Sequence, residues 1–487
     1  MTRHAAGQTS NAPCRAFAQR HGMPDFPPAL LAVWTGGRWT AQPVSSLLGF
    51  TIDTRQLRTG QIFVALKTDK RDGHDFLTAA HAAGASAALV ARPDEALPLP
   101  QLVVADPLKA FQLIAREHRR RFSGPVIGIS GSAGKTSTKN LLALLLGGAE
   151  SGVLATEGNL NNHLGVPLTL TRLDPGTHRF AVIEAGISAP LEMATLAEMI
   201  EPDVTIITLV AAAHTAELGG LGGVAAEKAV LAAAVRPDGV AIFSKASAEF
   251  PAFRELQVRQ MVVEAANSPH AADFTGKGMR FALTQNPDST TIALTYGSPP
   301  PMTFTLRRVS DGMAQNAVLA VCAALSLGVD PAQVQARLER WEPAKLRGEL
   351  REEEGRLFYL DCYNANPASM ADALDAFYAV APADRPRLFV LGGMEELGRE
   401  SEMFHRALGR TLRLRPQDFL AVIGDQAEAV RLGAMENGSR GEQIAVVDEV
   451  APITERVAAW QGAVFVKGSR RYKLEKVLTH SAEVHGS

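Results

Sequence analysis

The chain is patterned as short apolar runs alternating with stretches in which apolar residues recur at helical spacing. Residues 126–130, 180–184, 204–209 and 239–243 are the clearest runs of its middle part, and 227–234 reads as a helix among them. A run that is apolar throughout predicts a strand buried on both faces. Such strands alternating with helices predict a mostly parallel sheet covered on both faces. A second series begins near Leu357, with strands expected at 357–361, 387–391, 419–423, 444–447 and 464–466. Pro367 suits the first turn of the helix after the first of these, and the series predicts a Rossmann-like doubly wound domain. Ahead of both lies a small mixed module, with strands at 62–66 and 87–90 and a helix over 75–83 that stops at Gly84.

The expected fold class is therefore α/β with three domains. These are a small mixed α/β N-terminal module, a central P-loop-type sheet and a C-terminal doubly wound domain. Residues 1–27 lack periodicity and read as a poorly ordered extension. The domain bounds are set at 28–121, 122–343 and 344–487, with a hinge at Trp341-Glu342-Pro343-Ala344-Lys345. A chain of 487 residues exceeds what one core fills, which agrees with several domains.

Charge and cysteines narrow the function classes. A formal net charge of -2 provides no field that would draw nucleic acid. The one basic cluster, Arg116, Arg119, Arg120 and Arg121 around His118, reads as a solvated helix end. Cys14, Cys322 and Cys362 are far apart and show no metal spacing, which favours a reducing compartment. No signal-peptide pattern and no bilayer-length apolar run occurs, so a cytoplasmic protein without membrane insertion is expected.

The sharpest chemical signal follows the strand at 126–130. Gly131-Ser132-Ala133-Gly134-Lys135-Thr136, then Ser137, leads into a helix. Glycines let the backbone aim its N–H groups at phosphate oxygens, and the helix N-terminus adds a favourable dipole. Lys135 would place a cation on the terminal phosphates and Thr136 a hydroxyl on Mg²⁺. The strict P-loop pattern fails, because Ile129 stands where its first glycine belongs, but the compact Gly-x-x-Gly-Lys-Thr form is intact.

These residues resemble the Mur ligases, whose nucleotide loop has that compact form. In the first module Asp53-Thr54-Arg55, Gly60–Ala65 and Asp72-Gly73-His74-Asp75-Phe76 look like the family's uridine-nucleotide-binding domain. Thr156-Glu157-Gly158-Asn159-Leu160-Asn161-Asn162 with Gly165-Val166-Pro167 is similar to its substrate loop. Asp361-Cys362-Tyr363-Asn364-Ala365-Asn366-Pro367 resembles the segment of the member that adds D-alanyl-D-alanine. Glu396-Leu397-Gly398 with His405, and Lys467-Gly468-Ser469-Arg470, complete the likeness, which runs from about Thr51 to Val477.

The resemblance implies an ATP- and Mg²⁺-dependent ligase of peptidoglycan synthesis. It would activate the carboxylate of UDP-MurNAc-tripeptide as an acyl phosphate and join it to D-alanyl-D-alanine. It implies ATP contacts from the loop residues Gly131–Ser137 and from Asn316, Arg347 and Asp361. It implies substrate contacts from Asp53, Thr54, Arg55, Asn159, Asn161, Asn162, Tyr363, Asn364, Asn366, Lys467 and Ser469. Mg²⁺ would be held by Thr136, Glu184, His214 and a carbamylated Lys228. The catalytic set is then Lys135, Lys228, His214, Arg347 and Asp361.

Asn316 is expected to open a helix near 317–325. Departures from the family pattern are Val230 and Gly393, where acidic residues are usual, and Gly312, where a histidine is common. Three other readings are a superfamily member adding a different amino acid or extending folate with glutamate, a nucleotide-dependent switch or motor, and a catalytically dead binding protein. A monomer is expected.

Overall fold

The structure, a computed structural model, describes residues 24–213, 215–266, 278–297 and 300–478. It contains three sheets, mostly parallel, in the expected α/β organisation. By internal contacts the chain divides into two compact units. One holds the residues up to Gly124 together with Glu157–Arg179; the other holds Pro125–Thr156 and everything from Phe180 on.

The first unit is built on a five-stranded sheet in the order Arg38–Trp39, Gln101–Val103, Ala87–Val90, Ile62–Val64, Phe50–Thr51. Only the first pair is antiparallel. Helix Pro107–Arg120 begins where Asp106 accepts the Leu108 and Lys109 N–H groups at 2.9 and 3.1 Å. Its inner face carries Phe111, Ile114 and Ala115 into the core.

That helix corrects the reading of its basic end. His118 is 2% exposed and Arg119 fully buried. His118 Nε2 donates to Leu173 O at 2.6 Å while its ring lies 4.6 Å from that of Phe26. Arg119 donates to Phe122 O at 3.3 Å. His118 is thus packed against the returning segment Glu157–Arg179, which local charge cannot reveal, while Arg120 and Arg121 stay exposed as expected. The extension is corrected too. Phe26 is fully buried and its N–H donates to Leu47 O at 2.9 Å, so the folded module starts before Pro28. Residues 1–23 lie outside the described residues.

The expected helix at 75–83 is a 3-10 turn, Gly73–Phe76, followed by Leu77–Ala82. The segment 157–179, drawn above inside the central domain, groups with the first sheet instead. Gln112 Nε2 donates to His163 O at 3.1 Å, and Arg172 pairs with Glu157 at 2.6 Å.

The second unit carries a nine-stranded sheet. Its order is Met302–Arg307, Ser289–Tyr296, Met279–Gln285, Gln260–Ala265, Val240–Ser244, Val204–Ile207, Val126–Ser130, Phe180–Glu184, Val153–Ala155. Pairing is parallel except for the two pairs made by Ser289–Tyr296. Those antiparallel strands escape a search for continuous apolar runs because they alternate, with Ile292 and Leu294 inside and Thr291 and Thr295 less buried. Helices Lys135–Leu145 and Asp311–Ser326 cover one face through Leu141, Leu145, Val318 and Val321. Helix Leu221–Ala233 covers the other, Leu231 lying against Gly128.

The six-stranded third sheet runs Glu349–Glu353, Arg356–Asp361, Ala463–Lys467, Arg387–Gly392, Phe419–Ile423, Ile444–Val447. All its pairs are parallel except the first. Cores lie on both faces, one around Phe377, Phe389 and Phe465, the other around Leu388, Val390 and Val466. The expected hinge is anchored at each end, by buried Trp341 in the central core and buried Leu346 in the third. Among the described residues no helix is long and apolar enough to cross a membrane.

Burial pushes the His118 pKa from 6.5 down to about 4. The unfolded chain therefore binds a proton across that window that the folded chain refuses. Its contribution is full above about pH 6.5 and is lost as pH falls towards 4. We expect the urea midpoint of the first unit to drop over this range. His118→Gln, which keeps a donor for Leu173 O without titrating, should flatten the drop.

Candidate active site

The phosphate loop is pinned by the segment that follows strand Val204–Ile207. Thr208 Oγ1 donates to Ala133 O at 2.5 Å, and Ser132 Oγ donates to Ala211 O at 2.7 Å. Two glycines are required here. A Cβ on Gly131 would sit 1.9 Å from Thr208 Oγ1, and one on Gly134, at φ +79, 2.3 Å from Asn316 Nδ2. Lys135 Nζ donates to Gly131 O at 2.7 Å, closing the side chain over the loop. Helix Lys135–Leu145 starts at Lys135, so its N-terminal N–H groups face the loop.

Glu184 ends the adjacent strand and is 2% exposed. It accepts a hydrogen bond from Thr136 Oγ1 at 3.2 Å through Oε1, and its N–H donates to Thr156 Oγ1 at 2.9 Å. Lys228 projects from helix Leu221–Ala233 and is 3% exposed. Next to it Glu227 accepts Leu191 N–H at 2.7 Å and Met193 N–H at 3.4 Å, tying this helix to the start of Glu192–Ile200. Burial first, then the nearby Lys135 charge, push the Lys228 amine down to about 7, Glu227 opposing. Lys135 is also lowered by burial; Glu184 raises it and Arg347 lowers it further.

The third domain reaches this loop directly. Arg347 donates to Thr136 Oγ1 at 3.2 Å, its guanidinium 4.0 Å above the Tyr363 ring. Asn366 caps helix Pro367–Val380 by accepting Ser369 N–H at 2.9 Å, and its Nδ2 donates to Ser132 O at 3.0 Å. Asn364 instead makes a local bond, its Oδ1 accepting Ala365 N–H at 2.9 Å. Asp361 pairs with Lys467, which is 1% exposed and also donates to Asn364 O at 3.3 Å.

The structure thus gathers Gly131–Ser137, Glu184, Lys228, Asn316, Arg347, Asp361, Tyr363, Asn366 and Lys467 into one unit, with Ser469 on the same edge. Asp53, Thr54, Arg55, Asn159, Asn161 and Asn162 belong to the other. There Asp53 binds the exposed Arg55 guanidinium at 2.7 Å, and Asn162 Oδ1 accepts Gly165 N–H at 2.9 Å. His214 lies outside the described residues. Among the described residues no cluster of three His, Cys, Asp or Glu side chains forms.

Asn316 does not open its helix. Ser310 caps it by accepting Met313 N–H at 3.0 Å, and Asn316 stands inside Asp311–Ser326. Gly312, where the family often has a histidine, lies in the first turn of that helix. Its N–H donates to Asp372 Oδ1 at 2.8 Å, and a Cβ there would meet Asp372 Oδ2 at 2.7 Å. The third domain's carboxylate therefore fills the space that a side chain at 312 would need. Asp372, Thr208 and buried Lys139, which donates to Thr156 O at 2.6 Å, were not foreseen. None of the three belongs to a recognisable local motif.

Family models for the Mur ligase middle domain and the Mur ligase glutamate ligase domain match residues 129–324 and 346–470. The chain belongs to the Mur ligase family. It is an ATP-dependent ligase, as members of the family are. It is 33% identical to the UDP-N-acetylmuramoyl-tripeptide–D-alanyl-D-alanine ligase of Escherichia coli K12, over 88% of this chain and 92% of that protein. The Bacillus subtilis ligase of the same name is 28% identical over the same shares. A crystal structure of MurF from Acinetobacter baumannii superposes with TM-score 0.82 at 28% identity, covering 94% of this chain and 99% of that one. MurF from Thermotoga maritima in complex with ADP gives 0.74 at 25% identity, covering 88% and 96%.

Gly134→Ala tests the loop of this Mur ligase. The left-handed backbone alone costs an alanine about 1–2 kcal/mol, and Asn316 must also shift. We expect ADP affinity by calorimetry to fall at least about tenfold with the fold retained. Wild-type affinity would remove the loop from the nucleotide site.

Proposed function

We propose that this ligase joins D-alanyl-D-alanine to UDP-MurNAc-tripeptide in peptidoglycan precursor synthesis. The observation that carries this is the phosphate loop met by Arg347, stacked on Tyr363, and by Asn366 within the Tyr363–Pro367 segment. The names of the relatives from Escherichia coli and Bacillus subtilis support the substrate pair. In this reading 28–121 binds the uridine nucleotide, together with the Asn159–Asn162 loop. Residues 122–343 bind ATP and 344–487 bring the amine. The protein acts as a monomer in the cytoplasm.

The chemistry runs in two steps. A carboxylate oxygen of the tripeptide attacks the γ-phosphorus, the bond to the β-bridging oxygen breaks, and ADP leaves. The dipeptide amine then attacks the acyl carbon and loses a proton, and phosphate departs. Two anions must meet in the first step, and Lys135 and Arg347 stand where they offset that charge. Docking of the third domain over the loop keeps water from the acyl phosphate.

Thr136 Oγ1 and Glu184 Oε1, hard oxygens 3.2 Å apart beside the loop, suit Mg²⁺. Thr136, Glu184, His214 and, once carbamylated, Lys228 would hold it. Bound there, it would neutralise phosphate charge as the carboxylate approaches. We further propose that Lys228 is carbamylated. Its neutral amine attacks CO₂, an N–C bond forms, a proton leaves to solvent, and a cation becomes an anion. A pKa lowered to about 7 leaves a large share of the amine neutral near physiological pH.

Lys228→Ala should then lose about a hundredfold in turnover, the upper end of what losing support for a metal site costs. Formate or acetate should restore part of it; unchanged turnover would contradict the carbamate. A phosphate-release assay with UDP-MurNAc-tripeptide, ATP and Mg²⁺ tests the reaction. We expect release to depend on D-Ala-D-Ala. Equal release without it would favour a nucleotide-driven switch, and preference for another amino acid a different ligase of the superfamily.

A further inference from the structure

Along the strand ends of the third sheet, Tyr472 occupies a place that nothing above explains. Its ring lies on a floor of glycines. A Cβ on Gly392 would come within 3.1 Å of the ring, and Cβ atoms on Gly393 and Gly424 within 2.8 and 2.6 Å of the hydroxyl. Any larger residue at 393 or 424 would displace it, so glycine at 393, where the family usually has an acid, is matched to this tyrosine. The hydroxyl donates to Glu395 Oε1 at 2.7 Å. Arg471 bridges Glu395 and Asp425 at 3.3 and 3.2 Å. The backbone beneath is fixed twice: Met394 N–H donates to buried His405 at 2.9 Å, and Glu395 N–H to Ser469 Oγ at 3.2 Å.

The location gives this ring a role. Ligands of open α/β sheets bind outside the carboxyl ends of their strands. Here that edge runs from Asn366 and Arg347 at the phosphate loop, past the Asp361–Lys467 pair, to Gly393 and Gly424. The two strands under Tyr472 lie one and two spacings beyond Lys467, about 5 and 10 Å away. Two extended residues span about 7 Å. A dipeptide with its amine beside Lys467, running outward along these strand ends, would therefore bring its second side chain against Tyr472.

We propose that Tyr472, seated on Gly392, Gly393 and Gly424 and held by Glu395, is the wall that restricts the second residue of the incoming dipeptide to a small side chain. This rests on the reading that the third domain's strand ends receive the amine. The test is ligation kinetics with D-alanyl dipeptides ending in D-alanine, D-leucine or D-phenylalanine. Tyr472→Ala should raise kcat/KM for the bulky dipeptides relative to D-Ala-D-Ala by about tenfold or more, with KM for ATP unmoved. Tyr472→Phe, which keeps the ring, should leave that ratio near the wild-type value. Where the alanine variant does not fold, Tyr472→Leu should shift the ratio in the same direction. An unchanged ratio in a folded variant, or equal losses for every dipeptide and for ATP, overturns the proposal. Failure of the wild type to ligate any D-alanyl dipeptide instead overturns the functional reading beneath it.

Discussion

The site turns on two lysine amines near enough for the charge of one to act on the other. Lys228 is buried and Lys135 half-buried, and the charge of Lys135 lowers the Lys228 pKa. Two like charges in a poorly solvated pocket are tolerable only if one is lost or an anion is present. Glu184 supplies one negative charge. The nucleotide phosphates and a carbamate on Lys228 would supply the rest. Such a charge arrangement suits polyanions, which is what joining a carboxylate to a phosphate requires.

The surrounding fold maintains that arrangement. Thr208 and Ala211, just past strand Val204–Ile207, hold the loop, and Glu227 fixes the helix that carries Lys228. The third domain adds Arg347, Asn366 and Asp372, each touching the central domain through a polar contact. Trp341 and Leu346 root the connecting segment in the two cores, so the contacts depend on a short, well-anchored tether.

Much of this was legible in the sequence because the central and third domains are parallel sheets. Their buried strands are continuous apolar runs, and 126–130, 180–184, 419–423 and 444–447 match the observed strands end to end. The alternating Ser289–Tyr296 and its neighbours carried no such mark. Neither did long-range burial: His118 looks solvated until it meets Leu173 O, and Asp372 has no meaning until it meets Gly312. Departures at 312 and 393 made sense only in space, where Asp372 and Tyr472 fill the vacated volume.

The most direct measurement is carbon-13 NMR of the protein equilibrated with labelled bicarbonate at mildly alkaline pH, where the Lys228 amine is neutral. A carbamate carbonyl signal present in the wild type and missing from Lys228→Ala is the expected result. A wild-type enzyme that is active and shows no such signal would contradict the charge compensation on which the site is said to rest.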